Sequence, residues 1–437
     1  MLDIPDIPES DRRTRGAEVS ANGAIHKTSN RKSPRCSGEL LSRSCLETAY
    51  FMLSKRTQGR SAAIGMQHLY GRPPLATDSI RLLVLSRYGP MGSSSRLRIL
   101  QYFPYLTAAG FDLLPCPFFS QAYLLGLYEH NRRSAWDIVI AYLRRIRALV
   151  SAHRCSLVWV EKELFPYLPA WFEGFLHRWR IPYVLDYDDA VFHRFDLHPS
   201  KLVRRLLGNK FASLIRSARL VTPGNRYLAD YCADRGARDI RILPTVLDID
   251  RYNVQAEPVL SSTTEVRIGW IGSPTTATYL ELVRQPLQAL ARERPLRLVV
   301  IGARNIPGID VPIEFHPWSS DTEAALLGTL HVGIMPLSDG PWERGKCGYK
   351  LIQYMACGKP VVASPVGVNT DIATPDVGYL AADDRDWLEA FRSLSADTAL
   401  RHRLGLAGRA SVEASYSLQV SAPRLRDMLA QAALQDP

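Results

Sequence analysis

Short apolar runs alternate with helix-length segments twice along this chain, and that alternation restricts the fold more than any other feature. Ile80–Ser86, Phe111–Cys116, Leu157–Val160, Tyr183–Leu185, Leu220–Thr222 and Ile240–Leu243 read as strands. Arg96–Ala109, Tyr167–Trp179 and Pro199–Arg216 read as helices between them, and Asn225 reads as the cap of another. The pattern then restarts. Val266–Ile271, Leu296–Ile301, Ile313–Phe315, Val332–Met335 and Pro360–Ala363 are the second set of strands. Leu280–Ala291 and Tyr349–Cys357 are helices of that set, the latter ended by Gly358 in a left-handed C-cap. Asp384–Leu394, Thr398–Ala410 and Leu418–Leu434 close the chain as helices. Continuously apolar strands alternating with helices predict parallel, doubly wound α/β sheets. Two such sets predict two Rossmann-like domains facing a central cleft, with ligands beyond the carboxyl ends of the strands.

The expected boundaries are a leader at residues 1–78, a first domain at 79–250, a second at 251–418, and a terminal helix at 419–437 packing back on the first domain. The leader is rich in Ser, Arg, Gly and Pro, shows no sustained period, and is expected to be disordered.

Lys and Arg number 54 against 43 Asp and Glu, a net charge of +11. That excess favours anionic partners. No zinc-finger spacing and no dense basic run with interleaved aromatics is present, so nucleic acid is not an expected partner. The seven cysteines are an odd set without a C-x-x-C pair, which suits a reducing compartment. No apolar run approaches the roughly 20 residues of a spanning helix, and the opening MLDIPDIPESDRRTRG is not a signal peptide. A cytoplasmic protein is expected. Tyr142–Val150 and Leu202–Leu207 are basic and amphipathic. They are either ordinary helices with a solvated basic face or a site of peripheral contact with an anionic membrane.

The segment richest in chemistry runs from Asp339 to Ser364. A strand ends, a loop with Arg344, Lys346 and three glycines follows, and a short helix begins near Lys350. Glycines let a ligand approach the backbone. A helix N-terminus presents free N–H groups to anions, and the lysines add full charge. Such a loop suits a diphosphate, whose negative charge grows when it is a leaving group; a solvated basic loop is the plainer alternative. Asp186, Asp188 and Asp189 end a strand of the first domain, placed either to hold an acceptor, to cap a helix through Asp188 or Asp189, or to form a buried ion pair. Gly89, Gly92 and Ser93 lie in the loop after the first strand, which lacks G-x-G-x-x-G and so argues against a dinucleotide cofactor. The same loop also reads as a tight turn with a serine cap. His193, His198, Glu161 and Glu163 lie nearby and carry weaker signals.

The run Lys350–Gly367 resembles the donor-binding signature of the retaining GT-B glycosyltransferases, family 4 of the sequence classification. Ile268–Ser273, Val221–Asn225, Leu243–Thr245 and Asp186–Asp189 resemble other segments of that family in the same order, over roughly residues 80 to 430. The resemblance implies transfer of a sugar from a nucleoside diphosphate to an acceptor hydroxyl, on a glycan or a glycolipid, with anomeric configuration retained. It implies no cofactor and no metal. It implies donor contacts from Gly272, Ser273, Glu343, Arg344, Lys346, Lys350, Gln353 and Tyr354, and catalytic roles for Asp188, Asp189 and Lys350. The implied mechanism is front-face: the departing phosphate oxygen takes the acceptor proton while Lys346 and Lys350 stabilise its charge. The chain also departs from the family pattern. Aligned on Met355–Gly358, the family's two carboxylates fall on Gly345 and Gln353, with Glu343 two residues before the first. The loop Gly272–Thr276 lacks the family's basic pair. Those losses keep two other readings open: an epimerase-like GT-B enzyme and a catalytically inactive partner subunit.

Overall fold

Residues 79–130, 134–254 and 265–434 are described by the structure, a computed structural model; the expected leader, residues 1–78, lies outside the described residues. The first sheet contains β1 (Arg81–Leu85), β2 (Asp112–Pro115), β3 (Leu157–Glu161), β4 (Tyr183–Tyr187) and β5 (Leu220–Pro223), in the order β2-β1-β3-β4-β5. The second contains β6 (Val266–Ile271), β7 (Leu296–Ile301), β8 (Ile313–His316), β9 (Val332–Met335), β10 (Val361–Ala363) and β11 (Gly378–Leu380), in the order β11-β10-β9-β6-β7-β8. Every pairing in both sheets is parallel. The strand order reverses between β1 and β3 in the first sheet and between β6 and β9 in the second, and crevices for ligands open at such reversals.

β1, β3, β4 and β5 are buried on both faces, so their residues divide by parity. Leu82, Val84, Trp159 and Val184 pack with Tyr102 and Leu106 on one side. Leu83, Leu85, Val160 and Leu185 pack with Leu149, Leu176 and Phe211 on the other. The step from β1 to β2 runs one way across the sheet, and the next three steps run the other way. Right-handed crossovers then put the first connection on one face and the following three on the opposite face. The helix Leu418–Leu434 fills the remaining space on the first face: Leu418, Leu425 and Leu429 are buried with the β1–β2 crossover, against β3 and β4. Both sheets belong to one compact unit, Thr77–Pro437. Among the described residues no helix is long and apolar enough to cross a membrane.

Several expected elements come out differently, each for a local reason. Ile240–Leu243 is not a strand of the sheet but a single bridge to Val221. Arg241 and Leu243 donate to Val221 and Pro223 oxygens, and Pro223 has no N–H to return the intervening bond. The expected helix Arg96–Ala109 breaks at Ile99 and restarts as Phe103–Ala108, because Pro104 belongs in a first turn and not in a helix interior. Pro199–Arg216 divides at Gly208 and Asn209 into Lys201–Leu207 and Lys210–Ser217. Tyr167–Trp179 shrinks to Ala170–Glu173 and Phe175–Arg178, behind Pro169 and around Gly174. Asn225 does cap its helix, accepting from the Leu228 N–H, and Gly358 does take a left-handed φ of 69°.

Candidate functional site

Loops from the carboxyl ends of both sheets meet around a cavity of about 570 Å³. The first sheet contributes Ser93, Ser94 and Arg96 after β1, and Asp188 and Asp189 after β4. The second contributes Gly272 and Ser273 after β6, Gly302 after β7, Trp318 after β8, and Lys346, Lys350 and Gln353 after β9. A hollow of about 740 Å³ lies elsewhere in the second domain, walled by Asp339, Asp383 and Asp384. Three carboxylates against the one guanidinium of Arg385 disfavour a phosphorylated ligand there.

The first wall is an ordered set of buried charges. β3 ends in Glu161, and the next residue, Lys162, sits at φ 65°, in the left-handed region. That turn aims the Lys162 Nζ at Asp188, 2.9 Å from Oδ1, and at the Ser94 hydroxyl, 3.1 Å away. Asp188 also accepts from Ser94. Burial alone would raise the Asp188 carboxyl, but the Lys162 ammonium, helped by the Arg98 guanidinium, holds it below the usual range. Of the two structural roles that the sequence left open for it, a helix cap and a buried ion pair, Asp188 takes the ion pair. Glu161 turns away from the cavity. Its Oε2 accepts from the Arg87 N–H at 2.8 Å and the Ser95 hydroxyl at 2.6 Å, pinning the loop after β1. Asp186 is fully buried in a bidentate pair with Arg98, at 2.6 and 2.9 Å, and takes no part in the cavity. Glu163 pairs with Arg87 and Lys210 in the core.

The second wall is cationic. Lys350 lies in the first turn of the helix Tyr349–Ala356, its Nζ 4.3 Å from the centroid of the Trp270 ring. It makes no ion pair among the described residues. Burial, with the neighbouring Lys346 charge, brings its ammonium down from 10.5 to about 7. Gly272 makes room for it: a Cβ there would stand 2.9 Å from that Nζ and 2.6 Å from Trp270. Gln353 is buried one turn further along. Gly348, at φ 64°, precedes the helix without any side-chain cap, leaving its first N–H groups available to an anion.

The two walls touch through the loop 345–348. Lys346 Nζ stands 3.4 Å from Asp189 Oδ1, the Cys347 thiol donates to the Asp188 carbonyl, and Asn225 donates to the Lys346 carbonyl. Glycines permit this approach from both sides. A Cβ on Gly345 would stand 2.5 Å from the Cβ of Ala190, and one on Gly224 would stand 2.3 Å from the Cys347 sulfur. The position where the family resemblance expects a carboxylate is thus occupied by the backbone of the other domain. Arg96 also crosses, its guanidinium 4.7 Å from the Trp318 ring centroid.

Of the residues named from sequence, Ser93, Asp188, Asp189, Gly272, Ser273, Lys346, Lys350 and Gln353 line the cavity. Five do not. Tyr354 is a core residue whose hydroxyl accepts from the Ile271 N–H and donates to the Ile334 carbonyl, joining β6 to β9. Glu343 accepts from the Tyr279 hydroxyl outside the cavity wall. Arg344 is exposed and paired with Asp339 at 2.7 Å. Gly89 and Gly92 form a turn, closed by the Gly92 N–H on the Gly89 carbonyl, behind the lining residues. Lys162, Arg96 and Trp318 escaped the sequence reading. Lys162 had one signal, a cation between two acids just past a strand that is apolar until its last residue.

Residues 265–397 match the family described as glycosyl transferases group 1. That stretch spans the second sheet and the cationic wall. No curated protein matches the chain. Among solved structures, sucrose-phosphate synthase from Thermosynechococcus elongatus superposes with a TM-score of 0.60 at 15% identity, over 80% of this chain and 98% of that one. Anabaena HepE in complex with UDP-glucose gives 0.60 at 16%, over 80% and 99%. A glycosyltransferase from Rickettsia africae gives 0.61 at 11%, over 82% and 100%. At these identities the likeness is one of fold: two Rossmann-like α/β domains in the GT-B arrangement.

Proposed function

We propose that this protein is a glycosyltransferase that moves a sugar from a nucleoside diphosphate to an acceptor hydroxyl with retention of anomeric configuration. The observation that carries the reading is Lys350, a desolvated ammonium without a carboxylate partner among the described residues, at a helix start beside a second lysine. An isolated, partly buried cation costs free energy unless an anion completes it, and a diphosphate is the anion this loop has room for. The group 1 match over the same residues and the UDP-glucose complex of HepE support the choice of donor.

In this reading the diphosphate lies between Lys346, Lys350 and the N–H groups after Gly348. The acceptor comes from the opposite wall, oriented by Asp188 and Asp189. The bond from the anomeric carbon to the phosphate oxygen breaks, and the acceptor oxygen bonds to the same face of that carbon. Its proton passes to the departing phosphate oxygen. Both lysines then face more negative charge than in the ground state, which is what lowers a barrier. The diphosphate also competes with Asp189 for Lys346, so donor binding frees an acceptor-side carboxylate. Assembly of a cell-envelope polysaccharide or glycolipid is the setting we propose.

The test is binding of UDP and other nucleoside diphosphates, read by thermal shift and calorimetry. The expected result is a clear rise in melting temperature. Lys350→Ala should weaken binding by about 1.5–3 kcal/mol, as for a lost charge-assisted contact. Equal affinity in the two proteins would remove the diphosphate from this loop.

A further inference from the structure

The three crossovers that follow β2 share one face of the first sheet, and their outward sides are unusually apolar. Trp136 and Leu143 on the helix Ala135–Ser151 are 78% and 60% exposed, Trp171 on Ala170–Glu173 is 77% exposed, and Leu202 on Lys201–Leu207 is 65% exposed. Ala135–Ser151 buries Leu149 in one core, Lys201–Leu207 packs Val203 and Leu207 half-buried against it, and Ala170–Glu173 is tied to it through Glu173 on Lys210. The exposed residues therefore belong to one layer. A soluble monomer rarely leaves so much aromatic and aliphatic surface uncovered in one region.

We infer that this outer layer of the first domain docks on an anionic lipid bilayer. Charge selects that partner. The helix Ala135–Ser151 has one carboxylate, Asp137, in its first turn, and exposes Arg147 in its second half. Lys201–Leu207 carries Lys201, Arg204 and Arg205 and no acid. Arg178 and Arg180 are exposed beside Trp179, while Glu173 is buried on Lys210. Projecting tryptophans and leucines surrounded by cations suit the boundary between headgroups and acyl chains, with each surface cation attracted to anionic lipid. A protein partner with the same complementarity would need an acidic rim around an apolar groove, whereas an anionic bilayer presents both properties everywhere. None of these residues lines the cleft between the domains.

The test is flotation of the full chain with vesicles of phosphatidylcholine and phosphatidylglycerol in equal parts, against phosphatidylcholine alone. The protein should float with the mixed vesicles and stay behind with the neutral ones, and added salt should release it. The triple variant Trp136→Ser, Leu143→Ser, Trp171→Ser should lose about tenfold or more in partitioning. Its melting temperature and its UDP affinity should match the parent, since the replaced side chains are exposed and remote from the cavity. Failure of the parent to bind the mixed vesicles would overturn the inference. Equal partitioning of parent and variant would do so too. So would a parent dimer in light scattering that the variant dissolves, because the layer would then be a self-association surface.

Discussion

A buried ammonium beside a second ammonium gives up its proton more readily than one in water. For Lys350 the folded value is about 7 against an ordinary 10.5. Between those values the unfolded chain binds the extra proton, so this group's destabilisation is complete below pH 7 and disappears as pH rises toward 10.5. Lys350→Met should accordingly melt higher than the parent at neutral pH, with the gap closing in alkali. The same variant should lose nucleotide affinity, a trade of stability for binding. Parent affinity for UDP should fall as pH rises from about one unit below to about one unit above the lysine's titration, and the variant should lack that component. A profile identical in both proteins would mean that another group titrates. Across the cleft, Asp188 and Asp189 separate structure from chemistry. Asp188→Asn leaves the buried Lys162 ammonium without its main partner and should cost about 3–5 kcal/mol in a urea titration. Asp189 is 28% exposed at its carboxylate, and Asp189→Asn should cost under about 1 kcal/mol. It should keep or slightly tighten UDP binding, because Lys346 is released, yet slow sugar transfer about ten- to a thousandfold. Full transfer by Asp189→Asn would take that carboxylate out of the reaction.

The loop between β9 and the helix Tyr349–Ala356 performs two tasks with adjacent residues. Lys346 and Lys350 face the cavity, while Gly345 and Cys347 lie against the first domain. Gly345 has an ordinary φ of −76°, so the glycine is needed for space and not for backbone conformation. Gly345→Ala places a methyl group where Ala190 already stands. It should cost about 1–3 kcal/mol through overpacking, and Gly345→Glu, which restores the carboxylate of the family pattern, should cost more. An alanine variant as stable as the parent in urea would show that this loop and Ala190 are apart in solution. The turn after β3 divides its work similarly: Glu161 and Glu163 anchor neighbouring elements, and Lys162 between them alone reaches the cavity wall.

At the scale of the molecule, the last helix joins what the two sheets divide. The helix Thr398–Ser415 belongs to the second domain, and Leu418–Leu434 continues from it onto β3 and β4 of the first. Leu425 is completely buried there. Leu425→Ala should remove about 2–5 kcal/mol from the first domain's stability, as transfer and cavity costs add. The loss should appear in the tryptophan fluorescence transition, since Trp159 lies in the same core. A change under about 1 kcal/mol would mean that the helix is not docked in solution.

The alternation of apolar strands with helices determined the two parallel sheets, because a strand buried on both faces needs a continuous apolar run whatever surrounds it. The glycines and lysines around Lys346 and Lys350 likewise marked, from local chemistry alone, a loop that lines the cavity. Tertiary structure decided the rest. Asp186 and Asp188 look equivalent in sequence, yet Asp186 inside β4 meets Arg98 in the core, while Asp188, just past the strand, meets Lys162 at the cavity wall. Tyr354 and Lys350 share one face of a helix, but the rise of one turn carries the tyrosine under β6 and leaves the lysine at the cavity. Gly345 has no room for a side chain because Ala190, 155 residues away in the chain, stands against it. Periodicity and turn chemistry act over a few residues and can be read along the chain. Which buried charge finds which partner depends on contacts between distant segments, and those exist only once both sheets have formed.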